Sequence, residues 1–388
     1  MKPVKGQHFF ISFYFISYIG FAFLMTNYTP FLSSIGYDAR YRGYILSGYA
    51  ITTILFQLLF GIVSDRFQTI KKIVVICLGV MGIAAGLLFS NMFSYIAIHF
   101  LLIALTGGLV NACCGMYDTW LLGSNEHLKN SMSFIKAFGS IGWALGSILA
   151  SRIIIQFSYL GLGVALIILV ILMEINLLAL SDINKIARPK ETKKDDLIQL
   201  FRNRNYCLLL VVLFFMYSMV VTNNCTVVDK MLELGANNQQ ISMKWSLQSL
   251  LEIPTYIAGA ILLKKFSSIK LLRFSSFVIV VQFIMYGLAT TVGQIIMISA
   301  MQIFTTPLIM IASKMIIFDI TPKHLRNSSQ LIALSVFIGS SSLLIPSIAG
   351  TISVNLGYNF MLFMAAFLGV VSFLLIPKFS GNSEKKLQ

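Results

Sequence analysis

Apolar runs of roughly 20 residues recur along the whole chain, and a helix of that length crosses the hydrocarbon core of a bilayer. Phe9–Phe31, Ile73–Phe89, Leu160–Leu180, Leu208–Val228 and Phe360–Ile376 are examples. Lipid offers the backbone no hydrogen-bond partners, so runs of this length satisfy their own amides as helices. Twelve spans fit: 8–33, 43–63, 72–90, 94–122, 132–155, 159–181, 204–230, 239–263, 270–289, 292–318, 326–353 and 357–377. Only 11% of the 388 residues are charged, against about 25% in soluble domains. The expected fold class is an all-α polytopic membrane protein with 12 transmembrane helices and little mass outside the lipid bilayer.

The formal charge of +15 would suit a nucleic-acid partner, but its distribution argues against one. Of the 29 Lys and Arg, 23 lie at the termini and in alternate loops, among them Arg66, Lys71, Lys72, Lys129, the run Lys185 to Arg204, and Lys264 to Arg273. The intervening loops hold only Arg40, Arg42, Arg152, Lys230 and Lys244. That asymmetry is the positive-inside pattern, and it predicts that both termini and the long middle loop are cytoplasmic. The N-terminal MKPVKGQHFF lacks a following small-residue cleavage site, so the first apolar run reads as helix and not as a removed signal.

The longest hydrophilic segment, Ser181 to Arg204, divides the spans into two sets of six. The expected domains are a six-helix bundle at 1–181, a cytoplasmic linker at 182–203 carrying an amphipathic helix at Asp196–Phe201, and a second bundle at 204–388. An internal repeat supports the division. His127-Leu128-Lys129-Asn130-Ser131 returns as His324-Leu325-Arg326-Asn327-Ser328, 197 positions on (127 to 324). Gly61 to Phe67 has a degenerate echo at Gly259 to Phe266, at an offset of 198 (61 to 259). Two parallel six-helix repeats place a substrate site between the halves, near mid-membrane.

Charges inside apolar spans are expensive and mark function. Asp118 lies nine residues before His127 and Lys136 nine after it. At about 1.5 Å of rise per residue, two helices joined by a turn at His127 carry both charges at one depth. Together a carboxylate and an ammonium match the donors and acceptors of a polyhydroxylated solute. The alternative is a staple between helices, with Lys136 snorkelling to the cytoplasm. Trp143, seven residues from Lys136 on the same face, offers a ring to a solute or serves as packing. Gly139, Gly142 and Gly146, with Ala150, make a small-residue face for close helix contact, which is expected to serve packing and movement between the halves. Glu252 sits mid-span two residues before Pro254, whose missing N–H frees a carbonyl near Leu250; Lys244 is its alternative partner. Asn223, Asn224, Gln282 and Gln302 are polar at membrane depth and could serve only as interhelical glue. Glu174 has no evident partner. Cys77, Cys113, Cys114, Cys207 and Cys225 lie in apolar runs without metal-ligand spacing. No nucleophile–base arrangement, phosphate loop or metal cluster appears, so no enzyme, no metal and no cofactor are expected.

The loop Gly61-Ile-Val-Ser-Asp65-Arg66-Phe-Gln-Thr-Ile-Lys71-Lys72 resembles the loop signature of the major facilitator superfamily, with Gln68 in place of its second glycine and one extra residue before the lysines. That resemblance implies a cytoplasmic gate motif of Gly61, Asp65 and Arg66, in which Gly61 permits close helix approach and Asp65 caps a neighbouring helix or pairs with a base. A narrower resemblance, carried by Phe56 to Asp65 and by Phe138-Gly139-Ser140-Ile141-Gly142-Trp143-Ala144-Leu145, is to the oligosaccharide:proton symporter branch that includes lactose permease. In that register Lys136 falls on a sugar-binding arginine, Asp118 on its partner glutamate, Trp143 on a sugar-stacking tryptophan and Glu252 on a sugar-binding glutamate. Lysine supplies a point donor where arginine supplies a fork, which argues against a galactoside. With Pro307 fixing the tenth span, Ser299, Gln302 and Thr305 stand where the branch carries its proton-coupling lysine, histidine and glutamate, and Gln282 replaces an arginine. The branch's proton relay is absent, so its symport does not carry over.

The expected function is secondary transport of a small hydroxylated solute, a sugar or nucleoside-like molecule, by alternating access. Asp118, Lys136, Trp143, Glu252 and Gln302 are the expected solute ligands; if protons are coupled, Glu252 and then Asp118 are the candidate carriers. Drug or metabolite efflux by the same fold, passive facilitation, and a non-transporting sensor or scaffold are the competing readings. The resemblance implies a monomer in a bacterial inner membrane.

Overall fold

The computed structural model describes residues 7–67, 69–93, 95–124, 128, 132–182, 200–322 and 326–378, and among these every regular element is helical. The helices are α1 Gln7–Met25, α2 Tyr28–Ser34, α3 Ala39–Phe67, α4 Lys71–Ser90, α5 Ile96–Gly123 and α6 Met132–Leu178. They continue with α7 Arg204–Asn224, α8 Thr226–Glu233, α9 Asn238–Lys265, α10 Ser268–Leu288 and α11 Val292–Ile298. The last are α12 Thr306–Ile320, α13 Arg326–Leu334, α14 Ser340–Leu356 and α15 Tyr358–Leu375.

Ten helical stretches among the described residues are long and apolar enough to cross a membrane. Two facts bring these to the twelve expected. The 47-residue α6 is two spans, because Ser158 breaks it with φ 59° and ψ −171°. Serine in the left-handed half of backbone space cannot propagate a right-handed helix. The other missing span is α9, which carries Gln239, Gln240, Lys244 and Gln248 in its first half and Glu252 at its middle and so falls below the apolarity of its neighbours. The repeat also has a structural echo. Short α2 and short α8 each follow a break in the first span of their set, and each ends at a left-handed glycine, Gly36 (φ 93°) and Gly235 (φ 81°), 199 positions apart (36 to 235).

The chain divides into two compact units, Met1–Arg188 with Ala236–Leu250, and Pro189–Gly235 with Leu251–Gln388. In the first unit α1 lies along α6, and the contact is made by glycine. A Cβ on Gly146 would stand 2.8 Å from the Cα of Ile19, one on Gly142 would overlap the Phe15 carbonyl oxygen, and one on Gly139 would press on the Tyr18 ring at 3.2 Å. Without side chains there, the two backbones approach closely enough for extensive dispersion contact. Asn111 of α5 donates to Thr53 of α3 at 3.0 Å, and Tyr28 of α2 donates to Thr106 of α5 at 2.8 Å. The bilayer side is apolar in the usual helical register: Ile168, Ile171, Ile175 and Leu178 are all exposed.

In the second unit, α11, α12 and the 3-10 turn Ser299–Phe304 between them occupy the single span expected at 292–318. The break has a local cause. Pro307, in the first turn of α12, has no N–H for the Ile303 carbonyl four residues back. That carbonyl instead accepts from Thr255 Oγ1 of α9 at 2.6 Å, and the Thr305 carbonyl accepts from Ser275 Oγ of α10 at 3.0 Å. Thr255 thus re-satisfies the carbonyl that Pro307 frees, while the Thr305 carbonyl also keeps its helical bond from the Ile309 N–H at 3.0 Å. Pro254, by contrast, is carried inside α9 without ending it.

Most of the linker expected at 182–203, including the amphipathic helix at Asp196–Phe201 up to Gln199, lies outside the described residues, as do His127, Lys129 to Ser131, and Lys323 to Leu325 of the repeat. The ends of the linker are built. Asp182 Oδ1 accepts the backbone N–H groups of Ile70 and Lys71 at 3.0 and 3.1 Å, its other oxygen takes the Thr69 hydroxyl, and Lys71 Nζ reaches the Leu180 carbonyl at 2.7 Å. A carboxylate at the start of α4 meets the positive end of the helix dipole. Asn203 caps α7 by accepting from Asn205 N and Tyr206 N at 3.0 and 3.3 Å.

Candidate functional site

Two polar clusters stand inside the apolar bundles, one in each unit. In the first, α5 and α6 bring together Asp118 and Lys136: Nζ donates to Oδ2 at 2.7 Å, with the side chains 35% and 38% exposed respectively. The other carboxylate oxygen, Oδ1, accepts from the Tyr14 hydroxyl of α1 at 3.3 Å. Tyr14 is itself fully buried and stacks against Tyr18, with ring centroids 5.9 Å apart and an interplanar angle of 13°. Tyr18 in turn meets the half-buried Trp143 edge-on at 6.5 Å and 62°. Lys136, Gly139 and Trp143 follow one another on a single face of α6, so cation, notch and indole form one line. Cys114, one turn before Asp118 on α5, lies beside the Tyr18 hydroxyl. The ion pair is the chemically unusual feature, because charge inside an apolar bundle is costly and this pair is only partly covered.

In the second unit Gln302 Nε2 donates to Glu252 Oε1 at 2.9 Å and also to Thr306 Oγ1 at 2.6 Å. Thr305 Oγ1 reaches Gln302 Oε1 at 3.3 Å. Gln302 comes from the 3-10 turn and Glu252 from mid-α9, so the break at Thr305 is what turns the amide toward the carboxylate. Tyr217 of α7 and Tyr256 of α9 lie within electrostatic range of Glu252. The alternative partner considered for Glu252, Lys244, lies with its Nζ 3.7 Å from the Trp245 ring. Of the remaining polar residues, Gln282 donates to Tyr286 Oη and to the Ile298 carbonyl at 3.2 and 3.3 Å, and Ser299 bonds the same Tyr286 hydroxyl at 2.9 Å. Those two residues hold α10 to α11. Asn223 is buried and Asn224 exposed, and Glu174 Oε1 faces the Gly79 backbone.

At the expected gate motif, Gly61 and Arg66 are exposed near the end of α3. A Cβ on Gly61 would meet nothing within 4 Å, so no close helix approach is made there among the described residues. Arg66 lies over its neighbour Phe67 at 5.7 Å. The side chain of Asp65, expected to cap a neighbouring helix, lies outside the described residues; the start of α4 beside this loop is capped by Asp182.

Tyr14, Tyr18, Cys114, Thr305 and Thr306 were not among the expected ligands. Tyr14 and Tyr18 stand four apart in FFISFYFISYIGFAF, where their hydroxyls are hidden in an aromatic run that lipid-facing composition explains equally well. The spacing of two tyrosines at i and i+4 among phenylalanines was the available signal.

The chain matches the model of the MFS_1 like family over residues 10–365 and belongs to that family. It is therefore a multi-pass membrane protein, a secondary solute transporter and not an enzyme. No curated protein matches it by sequence. Among solved structures, the nucleoside transporter NupG covers 96% of this chain and is itself covered over 98%, with TM-score 0.80 at 15% identity. The POT family transporter PepTSo gives 0.76 at 11%, covering 99% of each chain. A bacterial homolog of the human lysosomal transporter Spinster gives 0.74 at 9%, covering 97% of each. At these identities the likeness is one of fold.

Proposed function

We propose that the protein moves a small hydroxylated solute, a sugar or a nucleoside, across the membrane by alternating access. The observation that carries the reading is the half-exposed Asp118–Lys136 pair at 2.7 Å within an apolar bundle. A carboxylate accepts from two hydroxyls and an ammonium donates to a third, and each bond is charge-assisted where water is scarce. Trp143 supplies an apolar ring beside them, and Glu252 with Gln302 offers a second acceptor and donor set. NupG, whose fold this chain shares, is a nucleoside transporter. Nucleosides carry both the hydroxyls for the charged pair and a flat face for the indole.

In this reading the units 1–181 and 204–388 rock about the solute, Gly61, Asp65 and Arg66 latch the inward gate, and the protein works as a monomer in a cell inner membrane with both termini cytoplasmic. Glu252 is the carrier if protons drive accumulation. It is held by a neutral amide, and a cationic partner that would oppose protonation is not what Gln302 supplies. The test is uptake into proteoliposomes from a panel of sugars, nucleosides and cationic dyes, with and without a pH gradient. Uptake of sugars or nucleosides supports the reading. Transport of dyes alone would replace it with efflux, and no flux of any member would place the transported solute outside these classes.

A further inference from the structure

We propose that Tyr18 is a solute-contacting residue that sets specificity, forming with Trp143 an aromatic corner for the flat face of a ring-bearing polyol; this rests on the solute reading above. Four rings of the first unit crowd the Asp118 side of α1, and they are not equivalent. Tyr14, Phe21 and Tyr117 are at most 1% exposed, whereas Tyr18 is half-buried. Cys114, Asp118, Lys136 and Trp143 around it are likewise partly exposed.

Position explains why. The Tyr18 ring lies across α6 at Gly139, where a Cβ would come within 3.2 Å of it. Gly139 is three residues after Lys136 and four before Trp143, so the ring is set between the ammonium and the indole on one helix face. Tyr18 and Trp143 meet at 62° rather than in a stack, so the two rings make a corner. A pyranose, furanose or base placed there would have its hydroxyls directed along the line toward Asp118 and Lys136.

The Tyr18 hydroxyl is also weakly committed. The Tyr14 hydroxyl is engaged by a carboxylate, but that of Tyr18 has the Cys114 thiol as its polar neighbour. Sulfur is a poor acceptor, so exchanging it for a solute hydroxyl or carbonyl is favourable. The fully buried Tyr14 ring backs the Tyr18 ring at 5.9 Å and limits its rotation. Pre-ordering of this kind lowers the entropy lost when a ligand is gripped.

The experiment measures equilibrium binding of uridine and galactose, each with its monodeoxy analogues, to wild type, Tyr18→Phe and Tyr18→Ala in detergent. Tyr18→Phe keeps the ring, so the parent compound should weaken about 3- to 10-fold, the loss of one net hydrogen bond. One deoxy analogue should then bind this variant as tightly as the parent does, a ratio that does not depend on how much protein is folded. Tyr18→Ala should weaken every binding member by at least about fivefold. If wild type discriminates among the analogues and Tyr18→Phe keeps the same ratios, the role of Tyr18 is overturned while the solute reading stands. If wild type binds neither parent compound, both readings fall together.

Discussion

Lys136 Nζ rests 2.7 Å from Asp118 Oδ2, and the carboxylate's other oxygen is held by Tyr14 from a third helix. The carboxylate is therefore anchored on one side by a buried neutral donor and bound on the other by a half-exposed cation. Lys136 is the partner a solute can replace without leaving Asp118 bare. A solute hydroxyl donating to Oδ2 would release the ammonium to a second hydroxyl.

Neutralising either member should disable uptake. Asp118→Asn and Lys136→Gln are each expected to lower initial uptake at least about tenfold, since a hydrogen bond to a charged group contributes about 1.5–3 kcal/mol. The double variant is decisive. A pure helix staple would recover uptake when both charges are gone, whereas a solute ligand set stays inactive even with thermal unfolding restored to the wild-type temperature.

Glu252→Gln separates coupling from binding. The amide retains the shape and the contact with Gln302 but cannot carry a proton, so accumulation against a gradient driven by external acid should vanish while solute counterflow persists. Undiminished uphill uptake in this variant would exclude Glu252 as the carrier.

Gly142 and Gly61 should respond in opposite ways to alanine. A Cβ at Gly142 overlaps the Phe15 carbonyl oxygen, part of a helix backbone that cannot swing aside. Gly142→Ala is expected to cost about 1–3 kcal/mol, as overpacking does. Gly61→Ala adds its methyl to open space and should stay within about 0.5 kcal/mol of wild type. Thermal unfolding in one detergent reads both.

The carbonyl freed by Pro307 gives a third contrast. Thr255→Val leaves the Ile303 oxygen without its 2.6 Å donor, which is expected to cost about 1–3 kcal/mol. Adding Pro307→Ala restores an N–H four residues on, so the double variant should regain part of the loss. Additive losses in unfolding measurements would show that Thr255 acts in some other way.

Asp182 tests the cap at the start of α4. Asp182→Ala removes the acceptor of two backbone amides and of the Thr69 hydroxyl. The loss should be about 0.5–2 kcal/mol of stability, with the Asn variant intermediate because it keeps an acceptor oxygen and loses the charge.

The apolar run lengths and the loop charges determined the number of spans, because lipid imposes one solution on each run: a helix long enough to cross. Residue spacing about His127 likewise put Asp118 and Lys136 at one depth, since helical rise is constant and the turn is short. Local sequence also marked the small-residue face of α6, but not its partner: the face packs on α1 of the same unit and was expected to serve movement between the halves. Three features escaped it. The broken tenth span depends on Thr255 and Ser275 lending hydroxyls from other helices, and nothing within 292–320 records those donors. The linkage of Glu252 to Gln302 depends on which way that break turns the amide. Tyr14 reaches Asp118 across 104 positions of sequence, a contact decided by the glycine-made closeness of α1 to α6 and by how α5 is then placed against α1. Periodicity and charge act along one segment and are read directly; the direction of a polar side chain is settled by whichever partner another helix brings within about 3 Å.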